Sequence, residues 1–244
     1  MNHFDQGGHQ YASHRPDYPD ILAERLAALA PNRSHALDVG CGTGQFSVQL
    51  ASHFAQVYAT DPSESQIENA TQHNNIHYAV GCAETIALPN SACALITAAQ
   101  SAHWFKLDRF YAEARRVACE GAVVALVSYG VLSLEGALGE CFQQHYWGPL
   151  HAYWPAGREH VEGAYRDLPF PFEPLHCDCP DITRDWVLAD LVGYIKTWSA
   201  TKRALAAGEQ ALVAAFIDGL TQLWPDPTSR RRIVWPVTAR VGRF

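Results

Sequence analysis

Long hydrophobic runs, an apolar leader and clustered basic charge are all missing from this 244-residue chain. The longest apolar stretch, Gly121 to Leu132, is too short to cross a bilayer, where a helix needs about 20 apolar residues. Met1 to Gln10 is polar and carries His, Gln and Gly, so no secretory signal core is expected there. These absences predict a cytoplasmic protein with no membrane partner. No Lys/Arg run exceeds Arg230 to Arg232 and the formal charge is −7, which argues against a nucleic-acid partner. Cysteine is present but unpatterned: seven residues, an odd number scattered along the chain, fit reduced thiols better than a disulfide framework. His176-Cys177-Asp178-Cys179 raises a metal question, but on an extended segment His176 and Asp178 face away from the cysteines, and no second half of a zinc site follows. The twelve histidines show no ligand spacing, so no metal is expected. Serine-nucleophile and phosphate-loop motifs are also absent.

What is present alternates. Apolar runs at residues 35–39, 57–61, 76–80, 94–98 and 122–129 read as strands. Helical patterns at 18–29, 44–55, 64–72 and 108–119 fall between them, as in a doubly wound sheet. Ser63 and Gln66 form a capping box for the third of these helices, and Asp108 is a plausible N-cap for the fourth. After Gly130 the pattern becomes helical near 134–146, 186–198 and 204–223, interleaved with aromatic-proline segments. Residues 233–240 read as a last strand that Pro236 breaks, hence near a sheet edge. The expected architecture is α/β: a Rossmann-like core decorated by a late helical cap. Cap and core would share one pocket, so residues 1–244 read as a single domain. Its parts are an N-terminal lid and helix (1–30), a ligand-binding core (31–130), a cap (131–232) and a final strand (233–244).

The most informative stretch is Leu37-Asp38-Val39-Gly40-Cys41-Gly42-Thr43-Gly44. A buried strand ends in three glycines spaced two apart, then a helix begins. Glycines let the backbone approach a ligand closely and reach turn conformations costly to other residues. The dinucleotide fingerprint is Gly-x-Gly-x-x-Gly; here Gln45 stands where its third glycine belongs. Asp38 would repel a pyrophosphate but favour a ligand carrying an ammonium and a sulfonium. Asp61 ends the second strand about twenty residues past the first glycine, the separation at which a carboxylate takes both ribose hydroxyls; Pro62 then stops the strand.

Asp38-x-Gly40-x-Gly42-x-Gly44 resembles the first motif of the class I S-adenosylmethionine-dependent methyltransferases. That resemblance implies a seven-stranded, mostly parallel sheet whose last strand is antiparallel. It implies S-adenosyl-L-methionine as cofactor, with Asp38, Gly40, Cys41, Gly42, Gly44, Asp61 and Pro62 around it. Gly81-Cys82-Ala83-Glu84 lies where such enzymes read the adenine edge. Many of them carry Asp where Cys82 stands, which leaves recognition to the Ala83 backbone and Glu84. Two further patterns, Tyr11-x-x-x-Arg15-Pro16-x-Tyr18-Pro19 and Gln100-x-x-His103-Trp104-Phe105, are similar to the trans-aconitate methyltransferase-like group. The likeness runs from about Phe4 to the terminal Val-Gly-Arg strand. It implies that Tyr11 and Arg15 close over the methionine end of the cofactor, Arg15 meeting its carboxylate. Small Ala99, with Gln100, leaves room for the cofactor, while His103 and Trp104 wall the reacting methyl.

The expected activity is methyl transfer to a small-molecule acceptor, a carboxylate or another O, N or C nucleophile, by a monomer or homodimer. A carboxylate needs no base; for other nucleophiles His103 is the best-placed one. In the cap, Trp147, Tyr153, Trp154, Trp186 and Trp198 would line an apolar acceptor site, whereas Arg158, Arg166, Lys202 and Arg203 would hold an acidic one. The residues alone leave both open. The rival readings are a nicotinamide-dependent oxidoreductase, a nucleic-acid methyltransferase, and a protein that binds S-adenosylmethionine without turnover.

Overall fold

The computed structural model describes residues 16–244. Five parallel strands, β1 (His35–Val39), β2 (Gln56–Asp61), β3 (Ile76–Val80), β4 (Cys93–Ala99) and β5 (Ala118–Tyr129), form most of one sheet. Two late strands, β6 (Glu173–Leu175) and β9 (Val237–Arg243), complete it in the order β3-β2-β1-β4-β5-β9-β6. β9 runs antiparallel to both its neighbours. The order reverses between β1 and β4, opening a crevice at their carboxyl ends.

Successive residues of each central strand face opposite sides, and the two sides have separate cores. Ala36, Leu95 and Val123 face α1 (Asp20–Leu29) and α2 (Gln45–Ala51). Leu37, Ile96 and Val124 face α4 (Leu107–Val117); α3 (Glu64–Glu68) follows β2. Such double-sided burial explains why β4 reads as a continuous apolar run rather than an alternating one.

The first core continues into the late helices, where Phe142, Trp198 and Phe216 pack at centroid separations of 5.7–6.3 Å. These residues come from α5 (Gly136–Trp147) and α9 (Gln210–Gln222), with Trp198 between α7 (Leu188–Thr197) and α8 (Ser199–Ala206). A short α6 (Arg158–Glu162) leans on the 3-10 turn (Ala102–Trp104) that follows β4, and β7 (Ile182–Trp186) pairs with β8 (Arg231–Trp235) as a separate two-stranded antiparallel sheet.

Several expected boundaries shift for identifiable reasons. The strand expected over 233–240 is two strands in two sheets, because Pro236 cannot donate to a ladder; β9 is second from the edge. The edge itself is β6, too short to stand out, and its Pro174 sits where a missing N–H is tolerated. Gly208 (φ 86°) divides the helix expected over 204–223, and Trp186 belongs to β7 rather than to a helix. α4 begins one residue before Asp108, since Lys106 N–H donates to Glu84 Oε1. Among the described residues no helix is long and apolar enough to cross a membrane.

Candidate active site

Where β1 ends, the chain turns through Gly40, Gly42 and Gly44 with φ of 70°, 56° and 82°. These are left-handed conformations that a Cβ makes costly. Two of the glycines are also demanded by space. A Cβ on Gly40 would lie 2.5 Å from Ser101 Cβ, and one on Gly44 2.0 Å from Tyr78 Oη. At Gly42 the nearest described atom is Gln66 Oε1 at 3.8 Å, so a ligand can approach the backbone there.

The amides of this turn point inward. Gly40 and Cys41 N–H both donate to Thr60 O (2.7 and 3.0 Å), Gly44 N–H to Cys41 O (3.0 Å) and Gly42 N–H to Asp61 Oδ2 (2.9 Å). A phosphate-binding turn presents such groups to its ligand; these four are committed to the protein. That disfavours a pyrophosphate and leaves the glycines serving close approach.

Asp38 is fully buried beneath the turn. Ser47 Oγ donates to its Oδ2 at 2.7 Å and Thr97 Oγ1 to its Oδ1 at 2.8 Å, tying β1, α2 and β4 together. Burial pushes its carboxyl up to about 6 against those two bonds, with the Asp61 charge adding to the rise. Both carboxylate oxygens are thus held by the protein beneath the turn, by hydroxyls that strand-end spacing does not reveal. Cys41, half-buried in the turn, has its thiol pushed up by burial and by Asp38 and Asp61.

Asp61 is half-buried, with Oδ1 accepting from Ser63 N–H at 2.9 Å and Oδ2 from Gly42 N–H. Burial raises its carboxyl and these two bonds oppose the rise. Each oxygen keeps a second lone pair, so a vicinal diol can be accepted without breaking either bond. Pro62 is exposed beside it. Past β3, Ala83 is buried and its N–H has no hydrogen-bond partner among the described residues, as an adenine-reading amide requires. Cys82 is exposed. Glu84 Oε1 holds the start of α4 by accepting from Lys106 N–H at 2.8 Å.

At the end of β4, Ala99 is partly buried and Gln100 adopts φ 53°, unusual for a residue with a side chain. Its N–H donates to Val127 O (2.9 Å) and its Nε2 to Tyr129 O (3.0 Å), while Oε1 is buried without a partner. A strained residue with an unmet acceptor at a strand terminus is a common sign of a ligand position.

His103 follows in a short 3-10 turn (Ala102–Trp104), with Nδ1 2.7 Å from Tyr165 Oη. Burial, aided by Arg158 and His160, lowers its pKa to about 3. Burial pushes the Tyr165 phenol far up, so this hydroxyl stays protonated and shares the hydrogen bond with His103 Nδ1. A neutral imidazole held this low is a weak proton acceptor, which weighs against the base role considered for it; its aromatic neighbours in sequence do not signal this desolvation. Trp104 stacks tilted on His103 at 4.8 Å and is 44% exposed.

Of the cap residues considered, Trp154, Trp186 and Trp198 pack among other aromatics, Tyr153 is partly buried and Trp147 is half-exposed. Arg166, Lys202 and Arg203 lie at the surface. Arg158 differs. Its guanidinium lies 4.3 Å from the Trp154 ring centre, donates to Tyr146 Oη (2.9 and 2.7 Å) and pairs with Glu162 at 3.4 Å. Its Nη1 has no partner among the described residues. Tyr11 and Arg15 lie outside the described residues. Sequence reasoning missed Ser47, Thr97, Ser101, Tyr78 and Tyr165. Only Ser47, three residues past the last glycine, and Thr97, a hydroxyl within an apolar strand, left a local signal. Among the described residues no group of three or more His, Cys, Asp or Glu is arranged to hold a metal ion.

This geometry has known counterparts. A methyltransferase-domain family profile matches residues 37–126, the span from β1 into β5. A solved structure from Anaeromyxobacter dehalogenans, provisionally named a type II methyltransferase, is 41% identical over 94% of this chain and 97% of its own, with a TM-score of 0.88. A Dictyostelium discoideum protein provisionally named a methyltransferase is 32% identical over 88% of this chain and 83% of its own length. The malonyl-[acyl-carrier protein] O-methyltransferase of Serratia marcescens is 30% identical over 50% of this chain, which spans 49% of that relative. With the strand order and glycine turn described above, these likenesses show that the chain belongs to the class I S-adenosylmethionine-dependent methyltransferases.

Proposed function

We propose that this enzyme transfers the methyl group of S-adenosylmethionine to an ionised carboxylate of a small molecule held under the cap. The observation that carries this reading is the environment of the imidazole at the end of β4. Burial holds His103 well below the usual imidazole range, at about 3, so it is a weak base for a hydroxyl or an amine. A carboxylate arrives already ionised. Arg158, close enough to depress His103 and with an Nη1 that has no partner among the described residues, supplies the countercharge. The Serratia relative, named for O-methylation of a malonyl group, supports an oxygen acceptor.

The cofactor, when bound, supplies a methyl already activated on a sulfonium. The protein's share is alignment at about 3 Å in a dry site. In this reading Asp61 accepts the ribose hydroxyls, Ala83 N–H reads the adenine edge above Cys82, and Gly40, Cys41, Gly42 and Gly44 admit the methionine moiety. Asp38 balances its positive charge from beneath. Ala99 and Gln100 border the sulfur, Pro62 flanks the ribose, and His103 and Trp104 wall the methyl. Tyr11 and Arg15 close the site from the N-terminal side, as the trans-aconitate methyltransferase-like resemblance implies. The same reading makes the chain one cytoplasmic domain, monomeric or homodimeric, without nucleic-acid partners.

A panel of small carboxylic acids, alcohols and amines, assayed for S-adenosylhomocysteine release, tests it. Carboxylic acids are expected to turn over at a rate flat between about pH 6 and 9, where a catalytic base would titrate. Arg158→Gln is expected to raise the acceptor KM by about tenfold to a hundredfold, as loss of a charge-assisted pair does, with cofactor affinity unchanged. Turnover of amines or alcohols alone, rising through a single ionisation, rejects the carboxylate.

A further inference from the structure

Just past α6, Ala164 and Tyr165 are consecutive residues with side chains at φ 55° and 58°. Left-handed backbone is uncommon for such residues and persists where the surroundings enforce it. Here they do. Tyr165 N–H donates to His160 O at 2.7 Å, and Arg240 Nη1, reaching from β9, donates to the carbonyls of Tyr165 (2.7 Å) and Leu168. The Tyr165 side chain so placed is 1% exposed within the second core, and its hydroxyl meets His103 Nδ1 at 2.7 Å.

A hydroxyl carries one proton and needs an acceptor for it. No second acceptor for the phenol proton lies within hydrogen-bond distance among the described residues. A hydrogen on Nδ1 would therefore turn the phenol proton into the apolar core with nothing to receive it, leaving a buried donor unmet. The imidazole is neutral, so it carries a single hydrogen, on one nitrogen or the other. Nε2 makes no hydrogen bond among the described residues, yet it is not sealed in the interior as Gln100 Oε1 and Trp154 Nε1 are. The start of α6 runs along that edge of the ring. A Cβ on Gly157 would lie 3.8 Å from His103 Cδ2, the carbon bonded to Nε2, and Arg158 is the next residue.

We propose that Tyr165 is a positioning residue: it donates to Nδ1, fixes the His103 hydrogen on Nε2, and so lets Nε2–H hold one oxygen of the acceptor carboxylate while the other attacks the methyl. This rests on the carboxylate reading above. The attacking oxygen forms the new O–C bond, the C–S bond breaks with its electron pair left on sulfur, and no proton moves. The negative charge that Nε2–H and Arg158 hold disappears as the ester forms. Their contact therefore favours the bound acceptor over the transition state and belongs in KM rather than kcat.

The test joins two-bond proton–nitrogen correlation NMR of isotope-labelled protein to the kinetics of Tyr165→Phe, with His103 assigned by the loss of its signals in His103→Leu. Wild type is expected to carry the hydrogen on Nε2. That signal should move downfield when S-adenosylhomocysteine and the best-turned-over acid of the panel are added together. Tyr165→Phe is expected to mix the two tautomers and raise the acceptor KM about tenfold, with kcat and S-adenosylmethionine affinity held. A merely structural loss would lower kcat and cofactor affinity as well, and would overturn the proposal. A hydrogen on Nδ1 in wild type also overturns it. An unchanged KM in Tyr165→Phe, with carboxylic acids still turning over, does the same and leaves the carboxylate reading standing. Failure of every carboxylic acid to turn over, with the hydrogen on Nε2, rejects that reading and the proposal with it. Should Tyr165→Phe not fold, the wild-type Nε2–H signal decides: no movement on adding the acid contradicts the proposal.

Discussion

Gly40→Ala is expected to weaken cofactor binding severely. Two costs combine at this position. An alanine at φ 70° carries the left-handed penalty of about 1–2 kcal/mol. Its Cβ would also stand 2.5 Å from Ser101 Cβ and 2.8 Å from Ser101 Oγ. Ser101 cannot swing away, because its Cβ is fixed by the backbone and its hydroxyl donates to Val39 O at 2.8 Å. Relief must come from displacing the turn, and overpacking of this kind costs about 1–3 kcal/mol more. Displacement also disturbs the Gly42 N–H bond that orients Asp61. Affinity for S-adenosylmethionine, read by calorimetry, is expected to fall by at least about a hundredfold, equivalent to about 2.7 kcal/mol. Gly42→Ala is the control for stability: with no described neighbour closer than 3.8 Å it carries only the backbone penalty in the ligand-free protein. Equal melting temperatures for the two ligand-free variants would mean that Ser101 does not constrain the turn.

Asp38→Asn is expected to stabilise the ligand-free protein while weakening its grip on the cofactor. In the folded chain burial lifts the Asp38 carboxyl from 3.8 to about 6, a shift worth about 3 kcal/mol. The folded state therefore holds this proton to higher pH than the unfolded state does. The stability contributed by the neutral carboxyl is present below about pH 4 and is lost as the pH rises through about 6. Asparagine removes that loss. Its amide satisfies the site as well, since the Ser47 and Thr97 hydroxyls can each donate or accept. A gain of about 1–2 kcal/mol at pH 7 and a flatter stability profile between about pH 4 and 6 are expected from denaturant titrations. Cofactor affinity is expected to drop about tenfold or more, because a buried negative charge is worth most to a cation in a dry cleft. A variant less stable than wild type at pH 7 would show that the carboxylate is structural rather than held against its own cost for the ligand.

The glycine turn and the acid at the end of β2 could be read in the sequence because their signals are local. Gly40, Gly42 and Gly44 each occupy a positive φ, and Asp61 ends a short strand that Pro62 stops. Both facts are carried by neighbouring residues. The partners of those residues are not. Thr97 lies 59 positions from Asp38 and Tyr165 lies 62 from His103, so neither enclosing hydroxyl could be placed by spacing. The desolvation that silences His103 is likewise a tertiary effect. In the cap, aromatic residue type fits a core as well as a pocket, and Trp198 (3% exposed) and Phe142 (0%) fill the core. Arg158 looked like other cap cations until Trp154, Tyr146 and Glu162 were seen around it. Proline placed the break at Pro236 correctly, yet could not say that the strands on either side belong to different sheets.

The electrostatic role of Asp38 is best examined by titrating S-adenosylmethionine calorimetrically into wild type and Asp38→Asn near pH 6, in buffers of different ionisation enthalpy. A cation drawn to this carboxylate lowers its pKa, so wild type should release a fraction of a proton on binding and the asparagine variant none. Equal proton counts in the two proteins, or binding with no loss of affinity in the variant, would mean that the buried charge takes no part in holding the cofactor.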